Sequence, residues 1–418
     1  MIIDIMNEKE QNTLYNKNNM RYRWMILLLF VVSQLILSVG GFGWGPLAPF
    51  LKKVMSLNST QIGLISSGFY LTASLSALPG GIVVDRYGVR TGVLFWIGIT
   101  GIFLVVLSFI QNYAFFLIFV ALSGIGYGMG NPVASKGLFM WFDPQTRGAV
   151  FGIRQAAVTA GGAVAGVLLV FISERMGPYI AIRTVGVIIM IMFIICFFFY
   201  HDPLTRRDMH GKQERGKKGK TKFKSLVNNK PLLILSIIFA LLGLSQGIVT
   251  TFLLLYANEK LGYSLIASGS FLTIAMISGA AGRILWGVIS DRIFYGARKP
   301  VMHIIAALAT LCSIGLALWE AYWPQWLFMP FVVVVGMSCI GFNSIAVLTA
   351  AELSEKDNTA TAVGLVSTIA WGGLFIGPLF FGSLTDHFGY FYSWMTLAVF
   401  SLICFSLCFF LSVPAYET

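Results

Sequence analysis

The chain has 418 residues, of which 57% are hydrophobic and only 11% charged, with a mean hydropathy of +0.81. One soluble core of this size does not need so much apolar surface, so a soluble enzyme or binding domain is excluded and a membrane protein is expected. The formal net charge of +12 lies mostly in loops and reads as membrane topology beside anionic headgroups rather than as a nucleic-acid surface.

Residues 1–23 are polar and lack the apolar core and cleavage site of a signal peptide, which makes them a cytoplasmic N-terminal segment. Twelve apolar stretches follow, each long enough to cross a hydrocarbon layer about 30 Å thick. Spans 1 to 6 fall at 24–50, 60–84, 89–110, 114–142, 148–173 and 178–200. Spans 7 to 12 fall at 232–257, 264–290, 300–320, 324–353, 360–385 and 389–413. Between them, residues 201–231 form a basic linker holding ten of the 29 Lys and Arg residues against three acids. Its Gly, Lys and Arg content predicts disorder. The domain plan is a six-helix bundle over 24–200, the linker, a second bundle over 232–413 and a short C-terminus at 414–418. Arg21, Arg23, Arg86, Arg90, Arg147, Arg292, Arg298 and Lys299 all fall in loops on the linker side. By the positive-inside rule, both termini are cytoplasmic. The five cysteines lie within apolar spans and read as packing residues, not as a disulfide framework or metal site.

The two sets of six spans repeat each other. Gly81, Asp85 and Arg86 in "GIVVDRYG" match Gly287, Asp291 and Arg292 in "GVISDRIFYG" at an offset of 206. Asn131, Asp143, Gly152, Gly161, Glu174 and Gly177 match Asn343, Glu355, Gly364, Gly373, Asp386 and Gly389 at an offset of 212. A looser copy of the glycine and acid pattern follows spans 5 and 11, in "ISERMG" and "GSLTDHFG". Three spans repeated upside down within each half is the inverted topology of secondary transporters, which bind cargo near the midplane. The fold class is therefore all-α integral membrane, with twelve transmembrane helices in two six-helix bundles built from inverted three-helix repeats.

Over its full length the chain resembles the major facilitator superfamily. The resemblance rests on "GGIVVDRYGVR" after span 2, its weaker copy "GVISDRIFYGARK" and the six-plus-six arrangement. It implies that Asp85, Arg86, Asp291 and Arg292 help to hold the outward-facing state. The physics supports a latch independently. Asp85 and Asp291 end their own helices, where the dipole disfavours an anion, and the amides starting spans 11 and 5 lie on the same face. Inverted symmetry gives Glu174 and Asp386 the same role outside, with the starts of spans 8 and 2. The competing reading is a simple loop cap with Arg86 or Arg292.

Arg283 lies eight residues before Asp291, about 12 Å from the end of span 8, where an arginine costs at least about 2.5–3.5 kcal/mol. Gly279, Ala280, Gly287 and Ser290 share its side, whereas Ala281, Ile284, Leu285 and Val288 form the other. Small residues mark packed or cavity surface, so Arg283 faces the interior. Lys136 and Arg154 are about 9–10 Å deep; each either enters the cavity or snorkels to headgroups. Ala157 and Gly161 beside Arg154 favour the cavity. No Asp, Glu or His lies mid-span, so the cargo itself has to supply the negative charge.

An arginine fork suits a carboxylate, and Arg283 in its "GR" context also resembles the span 8 arginine of monocarboxylate, oxalate and formate transporters of the superfamily. Ala77 stands where a paired arginine of nitrate transporters would lie. Gln155, Gln246, Thr250, Asn343, Tyr70 and Trp371 are candidates to complete the site. The expected function is secondary active transport of a small organic anion, with a carboxylate the best fit, by exchange or with a proton. The alternatives are a proton-driven drug or metabolite exporter, with Arg283 serving a gate, and a non-transporting sensor. No motif points to covalent catalysis, a metal, a cofactor or nucleic acid. The expected setting is a monomer in the cell membrane whose partners are the lipid bilayer and the anion.

Overall fold

The computed structural model describes residues 2–142, 144–202, 229–353 and 359–411, apart from the side chains of 2–21, 78, 85, 139, 144–149, 151, 351 and 359–364. The linker from 203 to 228, residues 412–418 and the side chain of Asp85 lie outside the described residues, as do Asp143 and Glu355. The protein is all-helical among the described residues. Span 1 comprises Ile2–Gly41 and Trp44–Val54; spans 2 and 3 are Ser59–Tyr87 and Val89–Leu107; span 4 comprises Tyr113–Gly128 and Gly130–Trp141. Spans 5 and 6 are Pro144–Met176 and Pro178–Phe199, and spans 7 to 9 are Lys230–Glu259, Leu265–Arg292 and Arg298–Leu318. Span 10 comprises Gln325–Cys339 and Asn343–Glu352, and Thr359–Phe410 carries spans 11 and 12.

Among the described residues, ten helical segments are long and apolar enough to cross a membrane, against the twelve expected, and the difference has two sources. Leu365–Phe410 counts once, although Gly389 breaks its helical geometry with φ 78° and ψ 174°. The 29-residue helix Ser59–Tyr87 is not among the ten; the side chains at 78 and 85 within it lie outside the described residues. Its start is fixed by a capping box in which Asn58 accepts from the amide of Gln61 and Gln61 accepts from that of Asn58.

The inverted repeats show in the backbone. Each of the four acidic loop motifs ends on a glycine in the left-handed region: Gly88 at φ 90°, Gly177 at 88°, Gly296 at 85° and Gly389 at 78°. Only glycine adopts that turn without a Cβ penalty, which explains its recurrence.

The main apolar core crosses from the first half to the second through Phe69, Phe252, Phe271 and Phe381, whereas a second core around Leu232, Phe239, Trp286 and Val301 stays within the second half. All five cysteines are buried and free. Ile284, Leu285 and Val288 on span 8 are exposed, at 70%, 43% and 42%, and form a lipid-facing stripe opposite Arg283.

Candidate substrate site and gates

The halves meet tightly on the face away from the linker. A Cβ at Gly45 would collide with the Thr250 carbonyl, one at Gly63 with that of Pro378, and one at Gly269 with that of Gly166. Ser67 donates to the Phe375 carbonyl, and Thr273 donates to that of Ala163 at 2.8 Å. Asp386 caps the start of span 2, accepting from the amides of Ser59 at 2.8 Å and Thr60 at 2.6 Å and from the Thr60 hydroxyl at 2.6 Å. Beside it, Lys52 pairs with Glu259 at 2.8 Å, and Tyr390 donates to Glu259 at 2.8 Å. Nearer the linker face the packing loosens at two glycines: a Cβ at Gly287, one turn beyond Arg283, or at Gly372, beside Trp371, would meet nothing within 4 Å.

Beneath the closure lies a polar centre. Arg154 is 1% exposed and is held by neutral oxygens. Its Nη1 donates to Asn131 Oδ1 and Gln155 Oε1, both at 2.6 Å, and its Nη2 donates to Gln34 Oε1. Gln34 donates onward to Ser38 at 2.8 Å. Arg283 is partly buried, its Nε is enclosed without a partner, its guanidinium has no hydrogen bond among the described residues, and Ser344 donates to its backbone carbonyl at 2.6 Å. Neither guanidinium has an acidic partner among the described residues. The Tyr127 hydroxyl lies 3.5 Å from that of Ser38, and its ring stands 6.5 Å from that of Trp371 across the interface. Asn343 donates to Gln246 at 3.0 Å, and Tyr70 donates to the Gly41 carbonyl at 3.3 Å.

Arg154, Gln155, Arg283, Gln246, Asn343, Tyr70 and Trp371 thus all lie on the interior faces of their helices. Lys136, for which the sequence left both cavity and headgroups open, sends its ammonium to the Val84 carbonyl at 2.9 Å, near the end of span 2. Sequence reasoning missed Gln34, Ser38 and Tyr127. A lone glutamine inside the apolar run "VVSQLILS" was the available signal for Gln34.

The four acids do not behave alike. Asp386 meets span 2, whereas Glu174 is exposed and does not reach span 8, whose start is capped by its own Ser264 on Ala267 at 3.2 Å. Asp291 does not pair with Arg292. Its carboxylate binds Arg298, which also holds Glu352 at 3.0 Å and Ser290 at 2.9 Å. Arg86 and Arg292 are exposed, and Arg86 lies over the Tyr87 ring at 5.3 Å.

Two helical bundles packed together at one end over a cationic centre define a multi-pass membrane transporter rather than an enzyme. The profile of the Major Facilitator Superfamily matches residues 30–352 and 295–418, and the chain belongs to that family. A probable hexose phosphate transport protein of Chlamydia trachomatis is 26% identical, over 85% of this chain and 84% of its own length. A probable sulfoacetate transporter of Cupriavidus necator, SauU, is 23% identical over 72% and 71%. The membrane sensor protein UhpC of Salmonella typhimurium is 25% identical over 78% and 77%. In fold, the chain matches a bacterial homolog of the human lysosomal transporter Spinster, in an inward-facing and unoccupied conformation, with a TM-score of 0.79 over 93% of this chain and 97% of that one at 16% identity.

Proposed function

We propose that the protein moves a small organic anion by alternating access, with Arg283 as the cation that binds the charged head group. The observation that carries this reading is a pair of interior arginines with no acidic partner among the described residues. Arg154 is already held by three amide oxygens and chiefly supplies positive potential, whereas the guanidinium of Arg283 is free to receive cargo. Its planar fork fits a carboxylate, and the names of the hexose phosphate and sulfoacetate relatives support the anionic class. An empty cationic chamber resists closing across lipid and a bound anion relieves that penalty, which favours exchange or entry of a proton with the cargo.

The experiment is thermal unfolding of purified protein with carboxylates, sulfonates and phosphate esters, followed by tracer flux in proteoliposomes. Specific binding to the native state raises its apparent stability. The expected result is stabilisation by one anion class and flux of that class; stabilisation only by neutral or cationic compounds would overturn the assignment. UhpC is a sensor, so a second reading is ligand binding without transport, and tight binding with zero flux would select it.

We infer from the basic residues that the linker face is cytoplasmic, so a molecule closed on the opposite face is inward-facing. A cysteine at Tyr322, which is 81% exposed on the opposite face, is then expected to react with an impermeant maleimide added outside intact cells. A cysteine at Arg292 is expected to react only after lysis, and the reverse pattern would invert the topology.

A further inference from the structure

Each half carries the same three polar positions, 212 residues apart: Gln34, Ser38 and Asn131 in the first, Gln246, Thr250 and Asn343 in the second. They are bonded differently. In the first half, Gln34 accepts from Arg154 and donates to Ser38 at 2.8 Å, while Asn131 accepts from Arg154 at 2.6 Å. The residue equivalent to Arg154 is Val366, buried in the apolar core of the second half. No guanidinium therefore fills the second copy.

There the amides close on each other. Asn343 spends its Nδ2 on Gln246 Oε1 at 3.0 Å and on the Ile340 carbonyl at 3.1 Å, while Thr250 turns its hydroxyl to the Gln246 backbone carbonyl at 2.9 Å. Gln246 Nε2 and Asn343 Oδ1 bond no protein atom among the described residues and are not enclosed, so both remain accessible from the interior. An accessible amide donor beside an accessible amide acceptor, neither used by the protein, offers a matched pair of bonds to a guest that can accept and donate.

The backbone holds this pair next to the head-group cation. The Gly341 amide reaches back five residues to Gly336 at 3.1 Å, a wide turn that interrupts span 10 just before Asn343. Ser344, the next residue, then bonds the carbonyl of Arg283 at 2.6 Å.

We propose that Gln246 and Asn343 read a hydroxyl group on the cargo, so that the preferred substrate is a hydroxylated organic anion rather than a bare aliphatic one. A hydroxyl accepts from Gln246 Nε2 and donates to Asn343 Oδ1, completing both amides. An ammonium has no acceptor for Nε2, and a methylene satisfies neither. The inference rests on the anion reading above and narrows it.

The test compares pairs of anions differing only in hydroxyls, glycerate against propanoate and glycerol phosphate against propyl phosphate, by thermal stabilisation and by competition for flux. Wild-type protein is expected to favour the hydroxylated member of at least one pair by roughly tenfold or more, because a site built to bond a hydroxyl rejects the analogue lacking it. Gln246→Leu and Asn343→Leu are expected to bring that ratio to about one, with the folding of each variant read from its thermal transition without ligand. Equal wild-type affinity within both pairs, or an undiminished ratio in folded variants, overturns the hydroxyl reading. Binding of a bare anion as tight as its hydroxylated partner still leaves the anion assignment standing, whereas stabilisation by none of the four removes both. The wild-type comparison decides the question even where a variant fails to fold.

Discussion

Arg283→Ala is expected to abolish anion flux while leaving the protein at least as stable as the wild type. The two effects have opposite signs because Arg283 has no counterion among the described residues: its enclosed Nε is unpartnered, and the bond it shares with Ser344 uses the backbone. Truncation therefore breaks no side-chain bond and removes a charge costing about 2.5–3.5 kcal/mol in the membrane interior. The bound anion, by contrast, loses a charge-assisted pair worth about 2–5 kcal/mol, or roughly 30- to 4000-fold in affinity. Arg283→Lys is expected to keep the charge but lose the fork, falling between wild type and Ala.

Arg154→Met provides the contrast. It strips three oxygens, on Gln34, Asn131 and Gln155, of their shared donor, which costs about 1–3 kcal/mol for each group left unsatisfied. Proteoliposome flux with thermal unfolding separates the two arginines. Normal affinity in Arg283→Ala would end its assignment as the head-group ligand.

The interior orientation of Arg283 was legible in the sequence because span 8 sorts its residues by size: Ile284, Leu285 and Val288 face outward, and Gly279 and Gly282 pack on span 10. The same logic turned Arg154 inward. The cage around Arg154 was hidden, since Gln34 and Tyr127 are single polar or aromatic residues in apolar runs, where period alone does not distinguish packing from lining. The course of Lys136 depends on which way a flexible stem turns, and depth is silent on that. Symmetry overreached at Glu174. The repeats share an acid and a left-handed glycine at Gly177 and Gly389, and each helix start opposite carries its own cap, Ser264 on span 8 and Asn58 on span 2. What separates the two is reach: Asp386 meets the Ser59 and Thr60 amides while Glu174 stays exposed. Likewise, the glycine at 389 was visible as a loop residue, whereas the near-continuity of spans 11 and 12 across it depends on backbone angles that composition does not carry.

Neutralising the acids on the closed face is expected to open it. Asp386 is the only side chain described that caps span 2 from the opposite half. It places a carboxylate on two amides where the helix dipole favours an anion. Asp386→Asn keeps the volume but removes the charge, weakening those bonds by about 1–2 kcal/mol. Glu259→Gln releases Lys52, the ion pair that joins the ends of spans 1 and 7. The two sites lie in one patch, because Lys52 also donates to Ser59 at 3.3 Å, so the double variant is expected to depart from additivity. Together they are expected to move the conformational equilibrium by roughly 10- to 100-fold toward a state open on that face, since about 1.4 kcal/mol corresponds to tenfold. Spin labels on cysteines at Gln111 and Tyr322, exposed on the two halves of this face, report the change as a second, longer distance. An unaltered single distance in the double variant would show that the helix packing at Gly45, Gly63 and Gly269, rather than the charges, holds the face shut.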